Sequence, residues 1–169
     1  GSIGAVDKGK HIHDEIVRRG LLTKNIVLGN ALVDMYAKCG VIAKAQQVLE
    51  ELPIRNVVSW STLIAGYTQV GQAEKALDCL DKMQREDLSP NNVTFICLLN
   101  ACGSIGAIAK GEQIHDEILS KALLKKDIVL GNALVDMYFK CGAPQKAYNV
   151  FRQLPVRDVV SWNALIAGY

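Results

Sequence analysis

The chain has 169 residues, half of them hydrophobic, and 19 Lys and Arg against 17 Asp and Glu leave a net charge of +2. That near-balance excludes a binder driven by bulk phosphate attraction, which carries a larger basic excess. Five cysteines with no Cys-x-x-Cys pair exclude a complete disulfide framework and fit a reducing compartment. No apolar run is long enough to span a bilayer, and neither a signal peptide nor an Arg/Ser-rich transit segment is visible, so no membrane partner is expected.

Taken in chain order, residues 1–25 read as the tail of a repeat. Leu28, Leu32, Met35 and Tyr36 then recur at helical spacing and predict a first helix with one apolar face. Gly40, just past Cys39, stops it. A second helix runs through Ala45, Val48, Leu49 and Leu52, and Pro53 ends it because proline cannot continue the hydrogen-bond ladder. The plan recurs with Val58, Leu63, Ile64 and Tyr67 before Gly71, and then with Ala76, Leu77, Leu80 and Met83 before Pro90. Strand signals are weak: IVLGN and VVSW are short and merge into helical periodicity.

The chain also repeats itself. Residues 1–67 laid over 103–169 match without a gap at 44 positions, including IHDEI, IVLGNALVDMY, VVSW and LIAGY. Recurring punctuation at LPIRN, LSPNN, KKD and LPVRD divides the chain into 26–56, 57–91, 92–127 and 128–158, of 31, 35, 36 and 31 residues. Incomplete repeats occupy 1–25 and 159–169. A lone helix pair cannot bury both faces; stacked pairs bury them and leave one continuous concave surface. Short glycine-marked links imply antiparallel neighbours.

GNALVDMYAKCG with LPIRN resembles the short motif of the PLS class of pentatricopeptide repeat (PPR) proteins. VVSWSTLIAGYTQVGQAEKALDCLDKMQREDLSPN resembles its standard motif, and NVTFICLLNACGSIGAIAKGEQIHDEILSKALLKKD its long motif. The order short, standard, long, short is that class's order, and the resemblance covers the whole chain. It implies an all-α, right-handed α-solenoid superhelix of antiparallel helix-turn-helix repeats. It further implies a binder of single-stranded RNA that reads one base per repeat, 5′ to 3′ from the N to the C terminus.

In such proteins the fifth and last residues of each motif select the base, and the second residue sandwiches it. The resemblance therefore implies Asn30 with Asn56 for a pyrimidine, Ser61 with Asn91 for adenine, and Asn132 with Asp158 for uracil over cytosine. Ile96 with Asp127 departs from the polar pattern and implies no base choice. Asn25 closes the first incomplete motif, and Asn163 is the fifth residue of the last. The implied sandwiching residues are Val27, Val58, Val93, Val129 and Val160. An Asn amide offers both a donor and an acceptor to a base edge, whereas Ile96 has no polar atom with which to discriminate. The expected RNA preference is pyrimidine–A–any–U.

Other residues read more plainly. His11 and His13 face different directions on a helix, and Gln113 replaces His11 in the second copy, so His13 and His115 read as surface or packing residues. Cys39, Cys102 and Cys141 precede helix-ending glycines and alternate with Val70, which marks a small apolar packing site. Trp60 and Trp162 read as packing against the adjacent repeat. Lys82, Arg85 and Lys110 read as solvated faces. No cofactor, no metal and no catalytic residue are expected. The HxE…CxxC zinc signature of the deaminase-like extension found on PLS relatives is missing, as are P-loop and GxSxG motifs.

The resemblance implies part of an organellar RNA-editing or RNA-processing factor, in mitochondrion or chloroplast. A helical-repeat scaffold for accessory editing-factor proteins is the alternative, since relatives bind such proteins too. Incomplete terminal repeats leave room for self-association.

Overall fold

The computed structural model describes residues 2–169, which divide into two compact units, one ending at Pro90 and the other spanning Asn91–Tyr169. The first holds α1 (Ser2–Arg18), α2 (Ile26–Lys38), α3 (Ile42–Glu51), α4 (Val57–Gln69) and α5 (Ala73–Arg85). The second holds α6 (Asn92–Ile105), α7 (Ile108–Ser120), a 3-10 turn (Leu123–Lys125), α8 (Ile128–Lys140), α9 (Pro144–Gln153) and α10 (Val159–Gly168). The expected all-α class is what the protein adopts; no strand occurs among the described residues.

Local chemistry sets the helix ends. Gly40 follows the C-cap Cys39 at φ 76°, in the left-handed region where an L side chain is strained. The starts of α2, α4, α6, α8 and α10 are each capped by an Asn or Asp. One ending was not legible in sequence: after α7, Ala122 turns at φ 52° into the 3-10 turn, which tucks Leu124 into the core.

Within the first unit α2 packs on α3 and α4, and α4 on α5; within the second α6 packs on α7 and α8, and α8 on α9 and α10. Every first helix thus has neighbours on two sides, and its buried stripe is wider than one apolar face. In α2 the buried set includes Gly29, Val33 and Ala37 beside Leu32 and Tyr36, while Leu28 and Met35 are only half-buried. Each fully buried aliphatic side chain contributes about 1.5–3 kcal/mol relative to exposure. Gly66 lets α4 approach α2 closely, since a Cβ there would press on Ala37 and Ile42.

The apolar face expected for α4 needs one correction. Leu63, Ile64 and Tyr67 are buried, but Val58 is exposed. Its neighbours Ser59 and Trp60 are buried and Ser59 reaches Asn30 on α2, so Val58 stands on the outer side of a turn that is already packed.

Candidate nucleic-acid interface

The residues that cap the first helices are Asn25, Asn56, Asn91, Asp127 and Asp158. In each, Oδ1 accepts from backbone N–H groups of the helix that follows. Asn56, Asn91 and Asp158 form full capping boxes with Ser59, Thr94 and Ser161. Capping needs one oxygen, which Asn and Asp supply about equally well. It explains why these positions are Asn or Asp, and leaves the choice between the two open. It also fixes the second arm of each side chain: an N–H donor on Asn, a second acceptor oxygen on Asp.

The fifth residues of the first helices meet these caps. Asn30 Nδ2 donates to Asn56 Oδ1 at 3.4 Å, and Asn132 Nδ2 donates to Asp158 Oδ1 at 3.4 Å. The surroundings then diverge. Ser59 Oγ lies 3.1 Å from Asn56 Oδ1 but closer, at 2.6 Å, to Asn30 Oδ1, whereas Ser161 Oγ donates to Asp158 Oδ1 at 2.9 Å. A charged acceptor outcompetes a neutral one for the single hydroxyl proton. Asn132 is left only 8% exposed, and its Oδ1 has no partner among the described residues. A buried acceptor without a donor is costly, and such groups concentrate at working sites. Hydrogen bonds from the Ser161 N–H and hydroxyl, with a further one from Asn132, outweigh desolvation and hold the Asp158 carboxyl below its usual range.

The remaining positions differ. Ser61 is buried on α4, and its hydroxyl donates to the Val57 carbonyl at 2.6 Å. Asn163 is exposed on α10. Ile96 is half-buried on α6, and the side chain that reaches Asp127 is another: Asn92 Nδ2 donates to Asp127 Oδ2 at 2.7 Å. Sequence reasoning missed Asn92; the signal was a polar residue where the other first helices begin with Ile or Val.

Val27, Val58, Val93, Val129 and Val160 each stand second in a first helix, and all five are 52–69% exposed. Five valines held in water at one repeating position are surface available to a flat apolar partner.

The other flagged residues are packed. His13 and His115 hydrogen-bond with the hydroxyls of Tyr36 and Tyr138, and burial pushes the His115 pKa down. No disulfide joins the described cysteines; burial pushes Cys79 and Cys102 up to about 11, which makes them inert rather than nucleophilic. Lys82 and Arg85 are exposed, while Lys110 is half-buried. Trp60 is buried, and its indole N–H donates to Glu86 Oε2 at 2.8 Å. Glu86 also receives the Arg55 guanidinium at 2.6 Å. This network lines an open cleft of about 460 Å³ among α3, α4 and α5, which contains none of the capping or fifth-position residues. Among the described residues no His, Cys, Asp or Glu cluster is suited to a metal, and no helix is long and apolar enough to cross a membrane.

Stacked helix pairs with an Asn or Asp cap recurring at the start of α2, α4, α6, α8 and α10 define an α-helical repeat protein. The PPR repeat family profile matches residues 55–104, and the PPR repeat profile matches 30–57 and 132–159, together more than half of the chain. The chain belongs to the PPR repeat family.

Its relatives in Arabidopsis thaliana include the chloroplastic pentatricopeptide repeat-containing protein CRR2, 44% identical over 96% of this chain and 25% of its own. The chloroplastic At4g18520 is 40% identical over 95% of this chain and 26% of its own, and the mitochondrial At3g13770 is 42% identical over 95% and 25%. The chain spans about a quarter of the length of these relatives. Its fold matches the crystal structure of the pentatricopeptide repeat protein PPR10 in complex with an 18-nt psaJ RNA element. That match has a TM-score of 0.73 at 20% identity, over 99% of this chain and 25% of the other. PPR10 from maize alone gives a TM-score of 0.70 at 24% identity, over 97% and 24%.

Proposed function

We propose that this chain binds single-stranded RNA, one base to a repeat, through the polar pairs at the starts of its first helices. The repeats are 26–56, 57–91, 92–127 and 128–158, with partial repeats at either end, in the short, standard and long order of the PLS class. The observation that carries the reading is the Asn132–Asp158 pair, where a buried acceptor without a partner among the described residues lies beside a carboxylate whose second oxygen meets no described side chain.

The chemistry follows from the caps. Uracil presents an N3–H donor where cytosine presents a bare N3 acceptor. Asp158, whose cap uses Oδ1, keeps Oδ2 to accept from uracil. Asn56, whose cap also uses Oδ1, keeps an N–H to donate to cytosine. Ser61 and Asn91 are assigned to adenine by the pattern of the family. The exposed valines supply apolar contact to base faces, without the π component of an aromatic platform. The resulting preference is pyrimidine–A–any–U, in an organellar RNA-editing or RNA-processing factor of mitochondrion or chloroplast. The net charge of +2 makes base contacts, rather than phosphate attraction, the source of selectivity.

Fluorescence anisotropy with short single-stranded RNAs against a double-stranded competitor tests this. Binding that survives the competitor, and weakens when the fourth base changes from U to C, supports the proposal. Binding only to accessory proteins, or equal binding to every RNA sequence, would overturn it.

A further inference from the structure

The first helix of the long repeat departs from the other four at two positions. Its opening residue is Asn92, where the others open with Ile26, Val57, Ile128 and Val159. Its fifth residue is Ile96, where the others carry Asn30, Ser61, Asn132 and Asn163. Polar and apolar have changed places between two positions four residues apart, which are neighbours on one face of a helix. The amide has moved back one turn along α6 and still reaches the cap of the next first helix.

It reaches that cap differently. Asp127 Oδ1 accepts from the N–H groups of Val129 and Leu130, at 2.9 and 3.2 Å, and caps α8. Asn92 Nδ2 takes the other oxygen, Oδ2, at 2.7 Å. In the second short repeat Asn132 lies on the capping oxygen itself, at 3.4 Å, and no described side chain engages Asp158 Oδ2. One aspartate therefore has both oxygens in use, and the other has one that no described side chain engages. A 2.7 Å bond from an amide to a carboxylate is charge-assisted and at the short, strong end of the range. A base N–H that reaches Asp127 Oδ2 must share it with Asn92, whose amide already takes one of its two lone pairs and weakens it as an acceptor.

We infer that Asn92 is a positioning residue that locks the closing carboxylate of the long repeat, so that this repeat passes over its base without selecting it. This rests on the base-reading proposal above. The lock makes a prediction that the lack of a polar fifth residue does not. If Ile96 alone silences the repeat, Ile96→Asn restores selection; if Asn92 holds the carboxylate, that single change is insufficient.

The test uses the full chain and single-stranded RNAs varied at the third base, facing the long repeat, and at the fourth, facing Asn132 and Asp158. Ile96→Asn alone is expected to leave the third base unselected, within about twofold among the four bases. Asn92→Val with Ile96→Asn is expected to install a uracil preference of about tenfold there, the worth of one good hydrogen bond. Val opens α4 and α10, and Asn is fifth in α2, α8 and α10, so both substitutions use residues this scaffold already accepts. Uracil selection by the single variant, or none by the double variant while the fourth base is still selected, overturns the lock. Loss of selection at the fourth base in the unaltered chain overturns the base-reading proposal, and the lock falls with it.

Discussion

Residues 57–67 and 159–169 differ at only two positions, yet their tryptophans meet different fates. Trp60 is 5% exposed and donates to Glu86 on the stretch just after α5, where Arg55 closes the network from the other side. Trp162 is 49% exposed and rests edge-on against Phe151 at 4.9 Å, while Arg157 donates to the carbonyls of Phe151 and Arg152. The acid that meets Trp60 stands at the C-cap of α5. The caps add a second contrast: Asn56 and Asp158 start equivalent helices, but the carboxylate draws the serine hydroxyl to itself and strips it from the fifth residue. Repetition thus reproduces the scaffold, while single atoms and neighbouring helices set the chemistry.

The largest effect probes what the copies share. Leu32 and Leu134 stand at equivalent positions and are both buried. Leu32→Ala and Leu134→Ala are each expected to cost about 2–5 kcal/mol. Unequal losses in urea denaturation would break the equivalence of the two cores.

Next comes the network present in one copy only. Glu86→Ala strips an acceptor from both Trp60 and Arg55 and is expected to cost about 1.5–3 kcal/mol, as for hydrogen bonds to a charged group. Arg157→Ala removes bonds to carbonyls at the surface and is expected to cost less than about 1 kcal/mol. Similar midpoints for the two variants would show that the Trp60 network is not what separates the copies.

The caps are then exchanged. Asp158→Asn is expected to turn the fourth-base preference from uracil towards cytosine by about tenfold, and Asn56→Asp to do the reverse at the first base. Both variants keep a capping oxygen, so their thermal midpoints should hardly move. A drop in stability without a change in base preference would reduce these residues to caps.

The smallest effect is with pH. The Asp158 carboxyl titrates below its ordinary 3.8, so its stabilising bonds are complete above that value and are lost as pH falls through the lower, folded value. Burial tends to raise Glu86, but hydrogen bonds from Arg55 and Trp60 prevail and lower it beneath 4.5, giving the same sign. From neutral pH down to about 4.5 little should change; below that, circular dichroism should report progressive loss. Asn56 does not titrate, so Asp158→Asn should remove the Asp158 part of the acid sensitivity.

Much of the fold was legible because its signals are local. Glycines after Cys39 and Cys141, Pro53 after a helical run, and apolar residues at 3.6-residue spacing act within a turn or two of chain. The caps were visible as residue types, but the reading assigned them only to base selection. Their hydrogen bonds to the next helix show why Asn and Asp recur there whatever the base. Val58 fits the apolar periodicity of α4 and is nevertheless exposed, because periodicity registers hydrophobicity and not which side of a turn faces water.

The amino-acid sequence by itself determined the helices, their order and the positions at which polar and apolar residues recur, since helix starts and stops depend on groups within about four residues. The tertiary structure alone decided that Asn92, and not Ile96, holds Asp127, that Trp60 is buried while Trp162 is not, and that Asn132 keeps an acceptor unspent. Each outcome depends on which helix lies alongside, and bonds between residues 26 or 35 positions apart exist only once the helices have packed.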